Sequence, residues 1–297
     1  MQESETITNI NSITVSEKAA AYFELTKPRI AFMLVLTSAA GFYLGSQNFN
    51  WILFANAMFA ITLLAFGVAT LNQYIERDID KLMTRTENRP LPSGRLSATE
   101  ALIFGSLLCI ASEVYLYFAV NPLTALLGLA VIVGYVFLYT PLKTRTSLST
   151  AIGAIPGALP PLLGFTAASN EITIGAWVTF AILFVWQFPH FLAIAWMYRE
   201  QYAKAGILML PVIEPEGKIT ARQIVAFAVI LLPISISAYF VNLAGVVYLI
   251  GAVLLGLWFL YESVKMARLK TDAQARKLLR VSVIYLPLIY LLLALNH

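Results

Sequence analysis

Nine stretches of mostly apolar residues run along this chain, at about 30–46, 51–71, 99–119, 122–141, 149–169, 174–196, 221–242, 244–261 and 280–296. Each is 17 to 23 residues long by these bounds, which fits a helix crossing the hydrocarbon core of a bilayer. The connections after the first, third, fifth and seventh stretches are short: SQNFN, Asn121–Pro122, NEIT and the turn around Asn242. Helices joined so tightly are antiparallel neighbours. The other connections are longer and polar. The pattern predicts an all-α polytopic membrane protein of nine transmembrane helices.

Charge supports that reading. Of the 20 Lys and Arg residues, 18 fall before the first stretch or in the connections after the second, fourth, sixth and eighth, and Arg222 and Arg280 stand at the same-side ends of the seventh and ninth. They gather on one side of the membrane and avoid the other. By the positive-inside rule the basic side is the cytoplasm, with the N-terminus inside and His297 outside. The net charge of +4 and the pI near 9.1 therefore report orientation rather than a polyanionic partner.

Composition narrows the function classes. A chain that is 59% hydrophobic, 12% charged and of mean hydropathy +0.77 is not a soluble enzyme, a disordered chain or a nucleic-acid-binding domain. The single cysteine, Cys109, lies inside an apolar stretch, so there is no disulfide framework and no cysteine metal site. Residues 1–26 lack the features of a secretory signal or a transit peptide and read as a short cytoplasmic tail. Residues 27–297 form one membrane domain, with a bacterial inner membrane as the expected location.

Candidate chemistry concentrates at 71–96, LNQYIERDIDKLMTRTENRPLPSGRL. Asn72, Glu76 and Asp80 are spaced i, i+4, i+8 and line one helix face where the second span leaves the bilayer. Asp78 joins them only if the helix has unwound there. Carboxylates beside an amide are hard oxygen donors that suit Mg²⁺. Arg77, Lys81, Arg85, Arg89 and Arg95 stand nearby. They are either a diphosphate-binding ring or ordinary basic-side charges with acidic neighbours. The acidic face has no such topological excuse, because carboxylates near hydrocarbon are costly.

The run N-x-x-x-E-x-x-x-D followed by RTENRPLPSG resembles the first acidic motif of the UbiA superfamily of intramembrane prenyltransferases. The form NQYIERDIDKLMTRTENRPLP is most similar to the branch that farnesylates protohaem IX. LTKPRI at 25–30, YTPLKTRT at 139–146, WQFPHFLAIAW at 186–196 and YAKAGILMLPV at 202–212 extend the likeness over nearly the whole chain from residue 22. The resemblance implies nine helices around a central cavity. It also implies Mg²⁺ as cofactor, farnesyl diphosphate as donor and haem b as acceptor, with a haem A synthase as a candidate partner and the lipid bilayer as surroundings.

Carried over by position, Asn72, Glu76 and Asp80 occupy the metal–diphosphate motif, and Lys143 a basic diphosphate contact. The superfamily's second motif, two Asp residues four apart, falls here on Tyr198 and Tyr202, with Glu200 as the carboxylate between them. Arg199 and Lys204 remain as diphosphate contacts, with Lys81, Arg85 and Arg89 from the first loop.

His190, after Pro189 in the sixth span, is a candidate for the haem side, as iron ligand or proton carrier. It could instead be bonded to a neighbouring backbone group. Pro189 frees carbonyls that a cavity wall would tolerate. Glu113, in the third span, is either functional or a protonated, hydrogen-bonded carboxyl. AIGAIPGALPPLLGF at 151–165 reads first as close helix packing. Phe184, Trp186, Phe188 and Trp196 could line a pocket or face lipid. Two rival functions stay open: prenylation of an aromatic quinone precursor, and secondary transport of an anion. The second would need inverted repeats and charges at mid-membrane, and neither is evident.

Overall fold

The computed structural model describes residues 14–297, and no β-strand occurs among them. The helices are α1 (Val15–Leu25), α2 (Pro28–Gly45), α3 (Trp51–Asp80), α4 (Ala98–Ala119) and α5 (Pro122–Ile132). A π-helical stretch, Val133–Tyr139, extends α5 into the turn α6 (Thr140–Leu142). Then follow α7 (Ser149–Ser169), α8 (Ile174–Met197), α9 (Arg199–Lys204), α10 (Leu210–Ile213), α11 (Lys218–Phe240), α12 (Val246–Leu269) and α13 (Asp272–Leu295). Among the described residues nine helices are long and apolar enough to cross a membrane, and they coincide with the nine apolar stretches.

Local sequence sets where these helices begin. Asn50 accepts hydrogen bonds from the N–H groups of Ile52 and Leu53, and Ser97 with Glu100 forms a reciprocal capping box. Pro28 and Pro122 occupy first-turn positions, where a missing N–H costs nothing. Three ends lie beyond the apolar stretches. α3 runs nine residues past its apolar stretch to Asp80, as the helical face of Asn72, Glu76 and Asp80 requires, with Asn72, Gln73, Glu76 and Asp80 buried. α12 runs on to Leu269, and α13 begins at Asp272, capped by Thr271. Both carry their charged turns beyond the apolar stretch.

α7 is the most enclosed span, and it explains the glycines and prolines at 151–165 in two parts. Toward its C-terminal half it lies against α2. A Cβ on Gly164 would fall 1.8 Å from the Ser38 carbonyl oxygen, and Ser38 Oγ donates to the Pro160 carbonyl at 2.8 Å. Close packing is therefore the reason for that half. Toward its N-terminal half, Gly153, Pro156 and Gly157 face a cavity instead. The bundle's outside is apolar: Phe118 and Phe240, for example, are exposed, as a lipid-facing surface requires.

The basic end of the bundle is folded over itself. α1 falls within the segment read as a tail. It buries Ala21 and Leu25 against Leu91, Leu96 and Ala101, while Arg95 pairs with Glu24 at 2.7 Å and Lys18 pairs with Glu100. The loop 82–97 is thereby held down onto the end of α3.

Candidate functional site

α2, α3, α5 with its π-helical extension, α7, α8 and α13 line a cavity of about 530 Å³. Its lining is apolar along most of its depth, with Leu34, Val68, Ala69, Val131, Pro156 and Leu183 among the walls. Its polar lining includes Lys27, which belongs to a charged cluster at the basic end, and, deeper in, Gln187 and His190.

The charged cluster is assembled from four separate segments. Glu76 and Asp80 are 6% and 1% exposed, and each is matched by a cation from elsewhere. Lys143, just after α6, holds Glu76 Oε1 at 2.5 Å, and Arg89 holds Asp80 Oδ2 at 2.7 Å. The loop delivers Arg89 because Thr86 Oγ1 donates to the Asp80 carbonyl at 2.8 Å, which turns the chain back along α3. Asn72 is an orienting group: its Oδ1 accepts from Lys27 Nζ at 2.7 Å and its Nδ2 donates to Thr140 Oγ1 at 3.1 Å. Thr140 Oγ1 in turn donates to the Tyr135 carbonyl at 2.8 Å, so α2, α3 and the π-helical stretch are tied together.

Lys27 is the site residue that sequence reasoning passed over, having read it as a topological charge. It lies in the left-handed region (φ 49°, ψ 59°) at the start of α2, a conformation that an L-residue with a side chain adopts rarely. Burial lowers its pKa, to about 7, and repulsion from Arg89 and Lys143 adds to the effect against the opposing pull of Glu76 and Asp80. Lys143 goes the other way. Burial alone would lower its pKa, but Glu76 beside it, with Tyr139 and Tyr135, holds it above the usual lysine range. The signal available for Lys27 was the Lys–Pro pair itself, a charge fixed at the mouth of a span by a proline at the first helical position.

With Lys27 protonated the balance of this cluster is three cations, Lys27, Arg89 and Lys143, against two carboxylates; with Lys27 neutral it is even, and an arriving anion favours the protonated form. A half-buried excess of positive charge joined to an apolar cavity is a site for an anion. The same carboxylates fit a divalent cation. Glu76 and Asp80 share a helix face, their donors are hard oxygens, and one oxygen of each lies outside its ion pair. Among the described residues no group of three or more His, Cys, Asp or Glu side chains is placed to hold a metal ion, so these two carboxylates alone do not complete a coordination shell.

The other expected residues divide. Arg85 is exposed and does not line the cavity; its guanidinium lies 5.1 Å from the Tyr198 ring and 5.8 Å from the Tyr202 ring, with a 3.4 Å hydrogen bond to the Tyr202 hydroxyl. Asp78 is not brought to the acidic face. The helix does not unwind there, and Asp78 points to solvent with Lys81 at 3.2 Å. Lys81 is spent on that surface pair. Glu200 and Lys204 are exposed on α9 and do not line the cavity. Arg199, the first residue of α9, pairs with Asp272 at 2.6 Å and lies over the Trp196 ring, so it ties the α8–α9 junction to α13.

His190 does line the cavity, in company with Trp186, Phe191 and Ile194. α8 continues through Pro189, and Gln187 Nε2 donates to the Ala154 carbonyl at 3.0 Å and so bridges to α7. Of the aromatic residues that sequence could not place, Trp186 faces the cavity. Phe188 stacks on Phe227 at 3.9 Å and Trp196 is buried under Arg199. Glu113 is remote from the cavity, with Oε1 buried and unpartnered against Gly128.

Comparison with known proteins places this geometry. Residues 33–286 match the UbiA prenyltransferase family. A protein named protoheme IX farnesyltransferase from Solibacter usitatus is 50% identical over 286 residues, covering 93% of this chain and 98% of that one. One of the same name from Koribacter versatilis is 41% identical over 288 residues, covering 93% of each. The fold is shared with a solved digeranylgeranylglyceryl phosphate synthase at a TM-score of 0.79, with 18% identity over 94% of this chain and 98% of that one. It is shared also with a UbiA homolog from Archaeoglobus fulgidus bound to GPP and Mg²⁺, at a TM-score of 0.67, with 19% identity over 92% and 99%.

Proposed function

The chain belongs to the UbiA prenyltransferase family, and from that premise we propose that it transfers the farnesyl group of farnesyl diphosphate to a vinyl group of protohaem IX, giving haem O and diphosphate. The observation that carries the reading is the cluster of Lys27, Arg89 and Lys143 around two buried carboxylates, joined through Lys27 to the lining of an apolar cavity. A diphosphate with a long apolar tail matches both halves of that arrangement. The named relatives supply the acceptor.

Lys27, Arg89 and Lys143 bind the diphosphate oxygens, and Arg85 adds its charge from outside the cavity. When Lys143 and Arg89 turn to phosphate, Glu76 and Asp80 are released from their ion pairs. Glu76 and Asp80 would hold Mg²⁺, which supplies neutralising charge for the departing diphosphate, while Asn72 positions Lys27. The farnesyl C1–O bond breaks with its electron pair leaving on diphosphate. The terminal vinyl carbon provides the pair for the new C–C bond, and water adds to the remaining vinyl carbon with loss of a proton. Apolar walls such as Leu34, Val68 and Leu183 keep bulk water from the allylic cation before the vinyl group reaches it. The setting is a bacterial inner membrane with the basic end cytoplasmic and His297 periplasmic. A haem A synthase is the protein partner that such a product implies.

The test is purified protein in proteoliposomes with haem b, farnesyl diphosphate and Mg²⁺. The expected result is a haem O mass that depends on all three. Prenylation of an aromatic acid in place of haem would overturn the acceptor assignment.

A further inference from the structure

We propose that Ser282 on α13 fixes the tautomer of His190, so that the bare Nε2 of His190 serves as an axial ligand to the iron of the haem substrate. Ser282 is then a positioning residue, and the inference rests on the haem reading above. The argument begins with one proton. Ser282 Oγ lies 2.8 Å from His190 Nδ1 and 2.7 Å from the Leu279 carbonyl oxygen. A hydroxyl has a single hydrogen, and we assign it to the Leu279 carbonyl, the shorter of the two contacts. With that assignment His190 Nδ1 carries its own hydrogen and donates it to Ser282. In the neutral ring this leaves Nε2 unprotonated, with its lone pair free.

The rest of the surroundings hold that ring still and aim it inward. His190 stacks on Trp186 with centroids 4.5 Å apart and planes 24° apart, and Trp186 Nε1 donates to the Ser282 carbonyl at 2.9 Å. One residue of α13 thus anchors both members of the stack. Nε2 takes no hydrogen bond among the described residues, and His190 lines the cavity with Trp186 and Phe191. A ligating histidine typically donates its other ring N–H to a fixed acceptor, which is the arrangement here.

Depth favours iron over proton transfer. His190 is seven residues from the end of α8 at Met197, about 10 Å along a helix at its usual rise. The charged cluster that would hold the farnesyl diphosphate is at the basic end. The reacting vinyl group sits on the porphyrin rim and the iron at its centre, so an iron ligand belongs deeper than the diphosphate, and His190 is deeper. The chain's other histidine, His297, is bonded to the Leu243 carbonyl and does not line this cavity.

The experiment titrates the purified full-length protein with haem b alone and records the absorption and the electron paramagnetic resonance of the ferric form. Wild type should give an imidazole-ligated spectrum. His190→Ala should lose it and recover it on adding free imidazole. Ser282→Ala should bind haem about tenfold more weakly with altered ligation, and Ser282→Thr should restore the wild-type signature. A wild-type spectrum without nitrogen ligation, or one unchanged in His190→Ala, overturns the iron assignment. Equal spectra and affinities across the Ser282 series overturn the positioning role. Haem O formation by wild type, measured alongside, separates either failure from a failure of the haem reading itself.

Discussion

The end of α3 and the start of α9 occupy comparable places at the basic end of the bundle, yet they are built from opposite chemistry. The first presents Glu76 and Asp80, buried and ion-paired with Lys143 and Arg89. The second presents Tyr198 and Tyr202, whose rings carry Arg85 from the opposite loop. One wall is therefore a place for a cation and an anion together. The other recruits a basic side chain with aromatic faces and offers no buried carboxylate. The difference teaches that the cluster is one-sided: its buried carboxylates lie on α3, and the α9 side contributes aromatic cover.

The largest effect should come from the α3 wall. Asp80→Asn removes a carboxylate donor and leaves the Arg89 charge unpaired, and haem O formation should fall by about two orders of magnitude or more. Haem binding at the deeper level should persist, and its absorption spectrum checks that the protein is still folded. Excess chelator should silence the wild type to a similar degree, with Mg²⁺ restoring it. Turnover unaffected by either treatment would break the one-sided picture at its stronger half.

Lys27 should come next. It is the third cation of the cluster and has no carboxylate partner of its own, only the Asn72 amide. Lys27→Met should raise the KM for farnesyl diphosphate about thirtyfold, the worth of roughly 2 kcal/mol for a charged hydrogen bond. The kcat should fall less. A drop in kcat with KM unchanged would show that Lys27 acts on the transition state only.

These two residues also mark what was readable in advance. Glu76 and Asp80 were legible because a spacing of four puts them on one helix face, and because acidic groups at a membrane boundary need a reason. The nine spans and their one-sided charge were legible for the same kind of reason, since length and hydropathy are set by the bilayer and not by tertiary detail. Lys27 was not legible, because a lysine before the first span looks like every other basic-side charge. Only the fold over of α1 and the left-handed turn at its own backbone bring it beside Asn72. Asp78 was ambiguous until the continuity of α3 was known. Ser282 gave no signal at all, being one small polar residue in an apolar span whose meaning depends on a contact 92 residues away in sequence.

A smaller effect is expected from the aromatic wall. Tyr198→Leu with Tyr202→Leu removes both ring faces from Arg85, and a partly exposed cation–π contact is worth about 0.5–1 kcal/mol. The double variant should raise the KM for farnesyl diphosphate roughly threefold to fivefold and leave the dependence on Mg²⁺ concentration where it was. A shift in the Mg²⁺ requirement would mean that the tyrosine wall takes part in holding the metal, and the contrast between the walls would be lost.

Arg199 gives the smallest and sharpest test, because its position in the sequence, beside the tyrosines, suggested a diphosphate contact. In the fold its guanidinium donates to Asp272 at 2.6 Å and to the Trp196 carbonyl at 2.6 Å, with the Trp196 ring beneath it. Its side chain is 30% exposed and Asp272 is 53% exposed, so the pair is a surface clasp between the α8–α9 junction and α13 worth well under 1 kcal/mol once solvent screening is counted. Arg199→Ala should therefore change haem O formation less than about twofold. Asp272→Ala should do the same, since it breaks the same clasp from the other side. A catalyst that needed diphosphate contacts from both walls would respond differently, losing activity in Arg199→Ala while tolerating Asp272→Ala. Equal, small effects from the two variants keep the anion on the α3 side, where Lys27, Arg89 and Lys143 already converge.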